Sequence, residues 1–124
     1  MLRDGLQHMS AIVWMDMEMS GLEPETDRVL EVAVLVTDGE LNVVAEGPNL
    51  VLHQSEDILS AMDAWNTSHH GQSGLTQRVR ESTLNEEQAS AALLGFFSEH
   101  TQKNEAPLAG NSIHQDRRFL ARYL

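Results

Sequence analysis

Asp16 and Glu18 stand two residues apart in Trp14-Met15-Asp16-Met17-Glu18-Met19-Ser20-Gly21-Leu22. Successive strand side chains project to opposite faces, so the two acids share one face and Met17 takes the other. Carboxylates at the end of an apolar strand, just before a glycine turn, offer hard oxygen donors to divalent cations. Paired ions of that kind can activate a water and stabilise the leaving oxygen in phosphodiester cleavage. The plainer alternative is a strand running into solvent with two acids on its exposed end. Asp-x-Glu alone favours that alternative, because so short a pattern recurs by chance.

Two further segments change the balance. They are Asp63-Ala64-Trp65-Asn66 through His70-Gly71-Gln72-Ser73-Gly74-Leu75, and Gly110-Asn111-Ser112-Ile113-His114-Gln115-Asp116. With Asp16 to Leu22 before them, in this order, they resemble the oligoribonucleases, 3′-to-5′ exonucleases of the DEDDh group. The resemblance runs from about Ile12 to Leu124. Asp-x-Glu would fit any member of that superfamily, whereas the Trp65-Asn66 and Ser73-Gly74-Leu75 region points to oligoribonucleases in particular.

The resemblance implies a metal-dependent exoribonuclease that degrades very short single-stranded RNA, down to dinucleotides, to mononucleotides. It implies that Asp16, Glu18 and Asp116 bind two divalent ions, Mg2+ or Mn2+. It makes Leu22 and Trp65 the apolar surfaces flanking the bases, Ser112 a phosphate-contacting hydroxyl and His70 a substrate contact. It also implies a homodimer. The family's third motif, carrying the last metal-binding aspartate and the general-base histidine, is expected downstream of Leu124. No catalytic base is therefore assigned within the chain, and neither His100 nor His114 lies in that motif. The last helix reaches Tyr123-Leu124 without a Gly or Asn cap or a Pro stop signal, so the sequence reads as a truncated member, inactive or nearly so alone.

Each of these residues also has an ordinary reading. Asp116 early in a helix is favourably placed against the helix dipole, and Asn111 or Ser112 serves as a cap, although a hydroxyl at a helix amino terminus also suits a phosphate. Leu22 and Trp65 could be core residues, as most Leu and Trp are. His70 could be a surface-loop residue, and His69 is read as one. Trp14 is read as core, and Arg117 and Arg118 as solvated helix positions.

Certain elements must carry these residues. Ala11 to Asp16 reads as a buried strand, and Val29 to Thr37 as a second, too continuously apolar for a half-solvated edge. Asp38-Gly39 is a turn signal, and Val43 to His53 a third strand bent at Gly47-Pro48. Short helices are expected over Ser55–Ala61, Asp63–His70 and Ser73–Glu81. A longer one spans Asn85–Thr101, with Ala89, Ala92, Leu93, Phe96 and Phe97 on one face and a capping box from Thr83 to Glu86. Pro107 to Gly110 is a short strand, followed by a helix carrying Phe119, Leu120 and Tyr123. The order suggests an α/β mixed sheet. The resemblance makes it ribonuclease-H-like, with antiparallel strands 1–3, strand 4 parallel to strand 1, and helices flanking the sheet.

At 124 residues the chain is one domain, residues 1–124, with 1–10 a flexible extension; Met1 or Met9 could be the native start. No apolar run approaches the ~20 residues that span a bilayer, and no secretory signal is evident, so no membrane partner is expected. The absence of cysteine excludes disulfides and thiolate chemistry and is compatible with a cytoplasmic or mitochondrial setting. The net charge of −11 disfavours long duplex nucleic acid, which a basic surface usually grips, but tolerates a very short substrate whose phosphates metal ions contact. Two other readings remain beside the first: a catalytically inactive fragment that still binds metal or oligonucleotide, and a proofreading or structured-RNA exonuclease of the same superfamily. Trp65 and the acidic balance argue against the latter.

Overall fold

The computed structural model describes residues 12–100 and the backbone of Leu108–Ala109. Strand β1 covers Ile12–Met19, β2 Val29–Thr37, β3 Val43–Val51 and β4 Leu108–Ala109; the helices are α1 Glu56–Ser60, α2 Ala64–Gln72, α3 Leu75–Glu81 and α4 Glu86–His100. The sheet order is β3-β2-β1-β4. The β1–β2 and β2–β3 pairs are antiparallel, and β4 runs parallel to β1 with Leu108 opposite Val13. This is the mixed sheet expected from the resemblance. The helix expected after β4, with Ser112 and Asp116, lies outside the described residues.

Alternation along β1 and β2 builds the larger core. Val13, Met15 and Met17 join Val32, Val34 and Val36 on one face, where Ala89, Leu93 and Phe96 of α4 cover them. A smaller cluster gathers Leu30 of β2, Leu59 of α1, Met62 between α1 and α2, and Leu75 and Val79 of α3. Helix α4 thus seals one side, whereas Trp14, Asp16 and Glu18 stand on the other.

Several boundaries differ from the sequence reading. Strand β1 continues past Asp16 to Met19, because alternation persists through the acids even though the apolar run stops. Strand β3 ends at Val51 rather than His53, and its bend is a bulge in which Gly47 and Pro48 together face Val34. A side chain at Gly47 would meet Val34 and Phe96. The cap of α4 is Asn85, not Thr83: its Oδ1 accepts from Gln88 N at 2.7 Å, and its own N–H donates to Gln88 Oε1 at 2.9 Å. Glu86 instead pairs with Arg28 at 3.2 Å. Among the described residues no helix is long and apolar enough to cross a membrane.

Candidate metal and substrate site

Strand β1 sets the two acids in the middle of the sheet on the face away from α4. Asp16 lies opposite Ala33 and Glu18 opposite Glu31. Alanine adds little bulk beside Asp16, which is exposed, while Glu18 is half-buried. Like charges directly across a ladder repel, and Arg78 offsets part of that repulsion through its 3.2 Å ion pair with Glu31. The face therefore carries three carboxylates on rigid backbone and a net negative field. Those hard oxygen donors fit Mg2+ or Mn2+. Trp14 shares this face rather than the core: it is half-buried, and its Nε1–H donates to Thr37 Oγ1 at 2.9 Å.

Beyond β1, the loop from Ser20 to Arg28 is tied by its own side chains. Ser20 Oγ donates to Asp27 Oδ1 at 2.9 Å and accepts from Arg28 N at 3.0 Å, while Glu23 N donates to Asp27 Oδ2 at 3.1 Å. Gly21 lets the Asp27 carboxylate come close, since a Cβ there would collide with it. The consequence is that Leu22 is held outward, 64 % exposed. This loop and the α1–α2 junction line an open cleft of about 520 Å³, with Ser20, Leu22, Thr26 and Asp63 on its walls.

Helix α2 begins where Asp63 caps it, accepting from Asn66 N at 2.8 Å. That cap sets Trp65 in the first turn, 67 % exposed. Its ring stacks on His69 with centroids 4.6 Å apart. One position on, His70 is 1 % exposed, and its Nε2–H donates to the Met19 carbonyl at 2.8 Å. This bond fastens α2 to the end of β1. Neither histidine is a loop residue.

Asp16 and Glu18 thus share an accessible strand face, His70 reaches the end of that strand, and Leu22 and Trp65 are surface rather than core. Sequence reasoning missed His69. A carboxylate oxygen of Glu18 and one ring nitrogen from each of His69 and His70 lie within 4.8 Å of one another. The available signal was adjacency of two histidines in a helix following an acid-bearing strand, which is weak without the fold.

Comparison with known proteins agrees with this picture. The chain matches the RNase_T exonuclease family model over residues 13–124. It is 56% identical over 113 residues to an oligoribonuclease of Shewanella loihica, covering 91% of this chain and 62% of that protein. Against an oligoribonuclease of Ralstonia nicotianae it is 58% identical over 113 residues, covering 91% of this chain and 52% of the relative. The chain therefore spans roughly half to three-fifths of the length of these relatives. Among solved structures, E. coli Exonuclease I in complex with a dT13 oligonucleotide superposes with a TM-score of 0.69 at 23% identity, over 89% of this chain and 22% of that one; this likeness speaks for the fold. With residues 13–124 matched by the family model and its relatives sharing more than half their aligned residues, the chain belongs to the RNase_T exonuclease family and is an oligoribonuclease relative within it.

Proposed function

We propose that the protein is a 3′-to-5′ exoribonuclease that degrades very short single-stranded RNA, down to dinucleotides, to mononucleotides. The carrying observation is an aromatic ring without a core role, Trp65, on a helix fastened by His70 to the strand that bears Asp16 and Glu18. Leu22 and Trp65 flank the bases of the substrate, and stacking of this kind is indifferent to base identity. Asp16 and Glu18 hold two divalent ions together with Asp116, Ser112 contacts a phosphate, and His70 contacts the substrate. When bound, Mg2+ or Mn2+ would activate a water and stabilise the leaving oxygen. The general-base histidine is supplied by residues after Leu124, as the family resemblance implies. The protein acts as a homodimer in the cytoplasm, a setting supported by its bacterial relatives.

The test is dinucleotide hydrolysis by the full-length encoded protein with Mg2+ or Mn2+. Asp16→Asn and Glu18→Gln should each abolish turnover while leaving the melting temperature close to that of the parent. Retained turnover in Asp16→Asn would defeat the proposal.

A further inference from the structure

We infer that Glu18, His69 and His70 form a second kind of metal site, one for an imidazole-seeking divalent ion, with zinc as the natural candidate. The donor set is one carboxylate oxygen and two ring nitrogens within 4.8 Å of one another. Nitrogen donors suit zinc, copper or nickel far better than magnesium, which takes oxygens and keeps much of its water. The state of His70 is the second observation. A carbonyl oxygen only accepts, so the 2.8 Å contact with Met19 fixes the proton on Nε2 and leaves the neutral ring's lone pair on Nδ1. That Nδ1 is buried, with no hydrogen-bond partner among the described residues. Leaving such an acceptor unsatisfied is costly. A ligating histidine characteristically donates its other N–H to a carboxylate or backbone carbonyl, and with Nδ1 as its ligand atom His70 would have that arrangement.

Closing the site requires little. Ligand atoms around tetrahedral zinc stand roughly 3.3 Å apart, given bonds of about 2.0–2.1 Å. His70 is fixed by burial, but Glu18 is half-buried and His69 exposed, so these two side chains can move onto the ion. The fourth position stays open. Occupancy withdraws Glu18 from the oxygen-donor pair it forms with Asp16, so zinc opposes the magnesium-dependent reaction rather than supporting it. Only this consequence rests on the proposed nuclease function; the binding itself does not.

The experiment is calorimetric titration of the full-length encoded protein with Zn2+, first without Mg2+ and then with it. One zinc per protomer is expected. His69→Gln, a change at an exposed residue, should weaken it at least about tenfold. Without Mg2+, Asp16→Asn should bind zinc as the parent does; added Mg2+ should weaken zinc binding by competing for Glu18, and less so in Asp16→Asn. Cobalt supplies a local readout: bound at His69 it lies against the Trp65 ring and should quench Trp65 fluorescence in a Trp14→Phe background, but not after His69→Gln. Zinc affinity unchanged by His69→Gln, or lowered as much by Asp16→Asn as by His69→Gln in the absence of Mg2+, would overturn the site. Zinc binding as expected in a protein that, zinc-free and with Mg2+, fails to hydrolyse dinucleotides would remove the nuclease reading and leave the site standing.

Discussion

Trp65 contributes little to the fold for a residue of its size. It is 67 % exposed, and its ring contact among the described residues is the stack on His69. Trp65→Ala should therefore leave thermal stability nearly unchanged. It should weaken dinucleotide binding by about 1–3 kcal/mol, roughly five- to 150-fold, as measured by calorimetry in Ca2+ to prevent turnover. Equal binding by the variant would remove Trp65 from the substrate site. Gly21 behaves in the opposite way, with no chemistry of its own but control over a neighbour. A methyl at that position would displace the Asp27 carboxylate that receives Ser20 Oγ and Glu23 N. Gly21→Ala is expected to cost about 1–3 kcal/mol in denaturant unfolding. Combining it with Asp27→Ala should be clearly less damaging than the sum, because the two changes act on one contact.

At the scale of elements, legibility followed locality. Strand β2 was legible to the residue, since Val29 to Thr37 is apolar but for Glu31 and the terminal Thr37 and lies between polar turns. The end of β1 was not, because Asp16 and Glu18 interrupt the apolar pattern while the ladder with β2 continues to Met19. The α4 cap was off by two residues, as Thr83-x-x-Glu86 and Asn85-x-x-Gln88 both have capping-box form and Arg28 draws Glu86 away. The burial of His70 depends on a carbonyl 51 residues distant, beyond the reach of any local pattern. Asp16 and Glu18 could be paired by strand alternation, but their neighbour His69 could not.

The β2–β3 turn yields two predictions of its own. Leu41 has φ of 70° and is 61 % exposed, so its side chain has little packing to lose while its backbone occupies the left-handed region. Leu41→Asn should raise stability by about 0.5–1 kcal/mol, read from a denaturant midpoint. In the same turn the Asn42 backbone N–H, then the Asn42 side chain, hold the Asp38 carboxyl below its ordinary value. A depressed folded value means stabilisation that is present above the unfolded pKa and lost as pH falls through the folded one. Asp38→Ala should consequently melt lower than the parent at neutral pH, and the gap should close in acid below the carboxylate range. A gap independent of pH would show that the charge of Asp38 plays no part.

For the whole molecule the deciding quantity is where positive charge is available. Between residues 12 and 100 the Lys and Arg residues are Arg28, Arg78 and Arg80, and each pairs with a glutamate: Glu86, Glu31 and Glu56. Beside a net charge of −11, that leaves no basic track among the described residues along which a long strand could lie. A dinucleotide presents a single phosphodiester, which metal ions can meet, whereas each added nucleotide brings a further phosphate into a repelling field. The full-length encoded protein should therefore hydrolyse dinucleotides faster than oligomers of ten or more, in kcat/KM per 3′ end. Salt should narrow that difference, since screening over about 10 Å at 0.1 M ionic strength weakens the repulsion of the distal phosphates. A nuclease that grips its substrate through basic residues shows the reverse, losing activity on long strands first as salt rises. Rates that grow with length at low salt, or a preference for short substrates that strengthens with salt, would show that charge is not what selects the dinucleotide.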